Sequence, residues 1–124
     1  MRYNADQAPD PGTWLELDES VRLELVMAYH RRNRLSVGQS ARAHAAAHVA
    51  VENQLAMGDA TVVPATLDRL MREGLDRHDA IHAVGSVLLQ IVFDVSTGIK
   101  HPDINAAYGR QLVELTATSW RSQA

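Results

Sequence analysis

At 124 residues the chain suits a single domain that can bury a core without disulfide or metal staples. It has no cysteine, so disulfides, thiolate metal sites and thiol nucleophiles are excluded within it, and any metal must be held by imidazole and oxygen. The net charge is −3 and the basic residues are dispersed, apart from His30, Arg31, Arg32 and Arg34, so no long basic face is expected and nucleic acid is not an expected partner.

Residues 1–12 are polar and carry Pro9, Pro11 and Gly12, which predicts an extended or mobile lead. The first seven residues lack the apolar core of a secretory signal. The longest apolar run, from Ala83 to Phe93, is shorter than the ~20 residues of a membrane span. A cytoplasmic protein without a membrane segment is the expectation.

A single helical domain is expected over 13–120, with 121–124 frayed. Thr13-Trp14-Leu15-Glu16 reads as a capping box, Asp18 offers a second cap, and a first helix is predicted from about 19 to 32. Val21, Leu25, Ala28 and Tyr29 form its apolar stripe, and the basic cluster at its end suits the negative pole of the helix dipole. Ser36-Val37-Gly38-Gln39 is a further capping box, opening a second helix that ends near Gly58. That helix is alanine-rich and apolar on most sides, which marks a central element. After a connection at Asp59, Ala60 and Thr61, Pro64 sits in the first turn of a short third helix, which Gly74 and Leu75 terminate. Asp76 caps a fourth helix, predicted over 77–96, whose body is almost uncharged and is expected to be central too. Gly85 lies one turn beyond His82 and would permit close backbone approach. Gly98 ends the helix, and a fifth begins at His101-Pro102 with Ile104, Tyr108, Leu112 and Leu115 inward. The fold class is therefore all-α: a bundle of four to five helices, with the second and fourth central.

Four of the six histidines stand in two HxxxH pairs, His44 with His48 and His78 with His82, on those two apolar helices. A spacing of four places both rings of a pair on one helical face, with Cβ atoms about 6 Å apart. An unpaired polar group in an apolar core costs about 1–3 kcal/mol, so four rings need partners. One transition metal ion would satisfy them all if the helices pack side by side, and imidazole suits zinc or iron among others. Antiparallel packing would bring His44 near His82 and Glu52 towards His78. Glu52 is then a candidate fifth ligand, general base, or acceptor that fixes a ring tautomer. The glutamate of an HExxH protease is missing, since Ala45 and Asp79 follow the leading histidines. Four histidines would close the shell of a structural zinc; an open position would allow water activation or oxygen chemistry. His30 and His101 are expected at the surface or at caps, Arg77 in solvent or at the mouth of a site, and Trp14, Tyr29 and Tyr108 in core or rim packing.

The run His44-Ala-Ala-Ala-His48-Val-Ala-Val-Glu52-Asn53-Gln54, with Arg69-Leu70, Gly74-Leu75 and Arg77-His78-Asp79-Ala80-Ile81-His82-Ala83-Val84-Gly85, resembles an uncharacterised family of small bacterial helical proteins, a domain of unknown function. The resemblance spans roughly residues 14–115. It implies a helical fold and singles out these histidines and Glu52, and it implies no activity. Nucleotide-binding and nucleophile motifs are absent, so no nucleotide cofactor is expected. Two classes follow: a metal-binding protein, hydrolase or oxygenase among its forms, and a metal-free interaction module, homodimeric in its simplest form, whose histidines make a buried polar layer.

Overall fold

The computed structural model describes residues 1–33, 40–58 and 61–123. Ser36, Val37, Gly38 and Gln39 of the expected capping box, Arg34, and Asp59 and Ala60 lie outside them. The described residues form seven helices and no strand: α1 (Pro11–Glu16), α2 (Glu19–Arg32), α3 (Ala41–Ala56), α4 (Val63–Arg72), α5 (Arg77–Ser96), α6 (Ile104–Glu114) and α7 (Ala117–Gln123).

The number exceeds the expected four to five because both ends of the chain break into extra short helices. Asp10, not Thr13, caps α1: its carboxylate accepts the Thr13 backbone N–H at 3.0 Å, with Pro11 opening the first turn. Leu17 is extended, and the chain starts again after Asp18 as α2. At the other end Leu115 is extended and Thr116 forms a new cap, its hydroxyl accepting the Ser119 N–H at 3.0 Å. The expected frayed tail instead continues α7 to Gln123, and Arg121 donates to the Gly74 carbonyl at 3.0 Å.

Interior caps follow local chemistry. Asp76 accepts the Asp79 N–H at 2.8 Å and starts α5. Gly74, at φ +110°, ends α4 in the left-handed conformation, and the Leu75 N–H reaches back to the Leu70 carbonyl at 3.2 Å. Ser40 caps α3 through the Ala43 N–H at 3.1 Å. Asp103 caps α6, so this helix begins just past His101 and Pro102.

α3 packs against α1, α2, α4 and α5, and α5 packs against α3, α4 and α6. A Cβ built on Gly85 would meet Ala47 Cβ at 3.7 Å, an ordinary van der Waals distance, so small residues on both helices let the two backbones approach closely. Two apolar clusters result. Leu67, Leu70, Ile81, Val84, Ile91 and Leu112 anchor one around α4, α5 and α6. Tyr3, Trp14, Val26, Tyr29 and Val49 form the other, beneath the amino-terminal segment.

Two expectations are corrected by this packing. The lead at 1–12 has no helix before α1 and turns where the Gln7 N–H donates to the Asn4 carbonyl at 3.1 Å, but Tyr3 and Ala5 are buried, at 2% and 0% exposure, because Tyr3 inserts its ring among Trp14, Tyr29 and His48. The carboxyl-terminal half of α5 is central on one face only, the one that buries Ile91. Val92 and Phe93 are more than half exposed, since no described element covers the face they occupy. α5 is also long and apolar enough, by length and composition, to cross a membrane. Its first half carries Arg77, His78, Asp79 and His82 and packs into the helical core.

Candidate metal centre

Three helices bring five histidines together. α3 and α5 run antiparallel, so His44 meets His82 and Glu52 meets Arg77 at the other end of the contact. α2 adds His30, which sequence spacing placed at the surface and which is 5% exposed. Donor atoms of His30, His48, His78 and His82 all lie within 4.8 Å of one another. This is a set of four imidazoles that could hold a metal ion, and it exchanges His44 of the expected quartet for His30.

The hydrogen bonds fix which nitrogens are free. The His30 Nδ1 lies 2.8 Å from the Val26 carbonyl, which can only accept, so the proton sits on Nδ1 and Nε2 keeps its lone pair. That Nε2 lies 3.3 Å from His78 Nε2. Two nitrogens bound to one tetrahedral zinc at 2.0–2.1 Å would stand about 3.3–3.4 Å apart, so this pair already has the spacing of two ligands. The His44 and His82 Nε2 atoms are 2.8 Å apart, a hydrogen-bond length too short for such an edge. His44 is therefore a hydrogen-bonding neighbour of the quartet in this arrangement.

His48 is held from the opposite side. The Tyr3 hydroxyl contacts both His48 Nε2, at 2.7 Å, and Glu52 Oε2. Its one proton goes to the carboxylate, so its oxygen accepts from His48 Nε2–H, and His48 Nδ1 is left unprotonated. Nδ1 is buried and has no hydrogen-bond partner. Glu52 is committed elsewhere: Arg77 Nη2 donates to Oε1 and Arg77 Nη1 to Oε2, both at 2.8 Å. Both of its oxygens are engaged, Oε2 by Tyr3 and Arg77 and Oε1 by Arg77, and it is not among the four grouped ligands, so Glu52, the expected candidate fifth ligand or base, here anchors Tyr3 and Arg77. Arg77, expected in solvent, is 8% exposed and also donates to the Ala5 carbonyl at 2.9 Å. A buried carboxylate requires such a partner, and only a guanidinium offers two parallel donors to it.

Burial, with mutual repulsion among the rings, disfavours the charged form of His44, His48, His78 and His82. It lowers the His44 pKa to about 4 and the His82 pKa to about 3, with His48 and His78 also shifted down. Neutral imidazole is the form that ligates metals. Tyr29 packs edge-on against His78 with ring centroids 5.4 Å apart. His101 lies outside the cluster and pairs with Asp94 at 3.1 Å.

His30 and Tyr3 were the residues that spacing missed. His30 lies on a different helix from either HxxxH pair, and Tyr3 lies in a segment without periodicity, so no local signal linked them to the pairs. The fold and site define a helical protein with a half-buried polyhistidine cluster. Comparison with known protein families, curated proteins and solved structures finds no match.

Proposed function

We propose that the protein binds a transition metal ion, zinc or iron, through His30, His48, His78 and His82. The observation that carries this reading is the quartet itself, in which one ligand atom from each ring lies within 4.8 Å of the others, and in which His48 also has a buried Nδ1 without a partner. A buried nitrogen lone pair without a donor costs about 1–3 kcal/mol, and a metal ion would remove that cost. The widest separations exceed a tetrahedral edge, so binding requires the rings to rotate inward. Tyr3, Glu52 and Arg77 form the outer support that orients His48, as hydrogen-bonding partners of metal-bound histidines do.

The test is elemental analysis of untagged protein purified without chelator. About one equivalent of zinc or iron is expected, and the double variant His48→Ala, His82→Ala is expected to contain none. Stoichiometric metal retained by that variant would sink the assignment.

A second reading is a metal-free, self-associating module. It is favoured by the exposed apolar stripe of Leu89, Val92, Phe93 and Val95 on α5, continued by Ile99 and Ile104. Absence of metal, with no thermal shift on adding either ion, would favour it.

A further inference from the structure

A cavity of about 130 Å³ adjoins the quartet, walled by His44, His82, Ala47, Ile81, Leu89 and Trp120. Its size is close to that of an engineered apolar cavity of about 150 Å³ that takes up benzene. Among the described residues lining it there is no carboxylate, ammonium or guanidinium, so nothing there would hold an ion of either sign. Its polar groups are few. Ser86 lines it, but the hydroxyl proton is committed to the Ala83 carbonyl at 2.7 Å, which leaves an acceptor only. The remaining polar groups are the imidazoles of His44, His48 and His82 and the indole N–H of Trp120, with His44 and His82 joined by their hydrogen bond. Apolar walls with one polar corner are the usual build of a small-molecule site.

We propose that this cavity is the substrate pocket of the histidine centre, taking an uncharged, largely apolar molecule of about six heavy atoms whose single nitrogen or oxygen faces the His44–His82 edge. The proposal rests on the metal reading in one respect: the occupant's donor atom reaches the ion on its His82 side. His44 explains itself in this arrangement. It lies outside the quartet, it lines the cavity, and its hydrogen bond to His82 is freed for the occupant when His82 turns towards the ion. Tyr3 packs edge-on against His48 and Tyr29 against His78, while the cavity opens beside His82, where a small molecule would approach.

Two probes separate the claims. Benzene, titrated into metal-free protein and followed by ligand-observed NMR, tests the cavity. Pyrazole, titrated into cobalt(II)-loaded protein and followed by the visible absorption of the cobalt, tests reach to the ion. Benzene is expected to saturate one site, and pyrazole is expected to change the cobalt spectrum. Leu89→Trp at the rim and Ala47→Leu in the wall should each weaken both probes by about tenfold or more, with cobalt content unchanged for Leu89→Trp. The two variants lie on different helices, so misfolding of one leaves the other informative. Failure of benzene to bind, or binding indifferent to both variants, would overturn the pocket. Benzene binding with a cobalt spectrum that pyrazole leaves unmoved would overturn its role as a substrate site. A chain that takes up no cobalt overturns the metal reading and the substrate role with it, while the benzene titration still decides whether the cavity receives a ligand.

Discussion

His48 has its two ring nitrogens in opposite situations, and Tyr3 is the cause. One nitrogen is tied to the tyrosine hydroxyl at 2.7 Å and the other has nothing. Tyr3→Phe removes the tie while keeping the ring that packs on Trp14 and Tyr29, so it should weaken metal affinity by about 10–100-fold with stoichiometry intact, as loss of an orienting partner does. A competition titration against a chromophoric chelator would read this; unchanged affinity would show that Tyr3 does not orient the ligand. His44→Ala, by contrast, should retain one equivalent of metal. The histidines also set a pH dependence for the metal-free protein. The folded pKa values of His44, His48, His78 and His82 lie below the ordinary 6.5, with His44 at about 4 and His82 at about 3. Below pH 6.5 the unfolded chain therefore takes up protons that the folded chain refuses, and stability falls as pH drops, levelling off near the folded values. Urea midpoints measured from pH 7 down to pH 4 should decline, and the decline should shrink in His44→Ala.

α5 performs different tasks along its length. Its first turn carries Arg77, buried against Glu52 of α3, and its second and third turns face α3 with His82, Ile81 and Gly85. Both members of the ion pair are nearly inaccessible, at 8% and 1% side-chain exposure, so breaking it leaves an uncompensated buried carboxylate. Arg77→Met should destabilise the fold by about 3–5 kcal/mol, measurable from denaturant midpoints. Removing both charges with Arg77→Met, Glu52→Leu should cost much less, because no charge is then stranded. The last two turns of α5 keep Ile91 in the core, and their other apolar residues, Val92, Phe93 and Val95, belong to a stripe that meets solvent.

For the whole molecule, that stripe is the largest departure from a closed core. A self-associating form would bury it against a second copy, and sedimentation at tens of micromolar would then return about twice the 13.7 kDa chain mass. Phe93→Glu should return the chain mass alone. A monomer in both cases would leave the stripe as surface. The amino-terminal segment has a comparable whole-molecule role: Tyr3 and Ala5 tie α2, α3 and α5 together through Arg32, which donates to the Tyr3 carbonyl at 2.9 Å, and through Arg77.

By itself, the sequence determined the helical class and the interior caps at Asp76 and Gly74, because capping acts within a few residues, while Gly85 only permitted the close approach that the fold makes. It also placed His44 with His48, and His78 with His82, each pair on one face of its own helix, since a four-residue step is a property of one helix. Tertiary structure alone decided which rings form the quartet. His30 enters because α2 crosses α3, and His44 steps out because the antiparallel register sets its Nε2 at hydrogen-bond distance from His82. Tyr3, Glu52 and Arg77 became one array across separations of 25 to 49 residues, for a reason no local pattern contains: a carboxylate enters an apolar core only when the fold brings it donors.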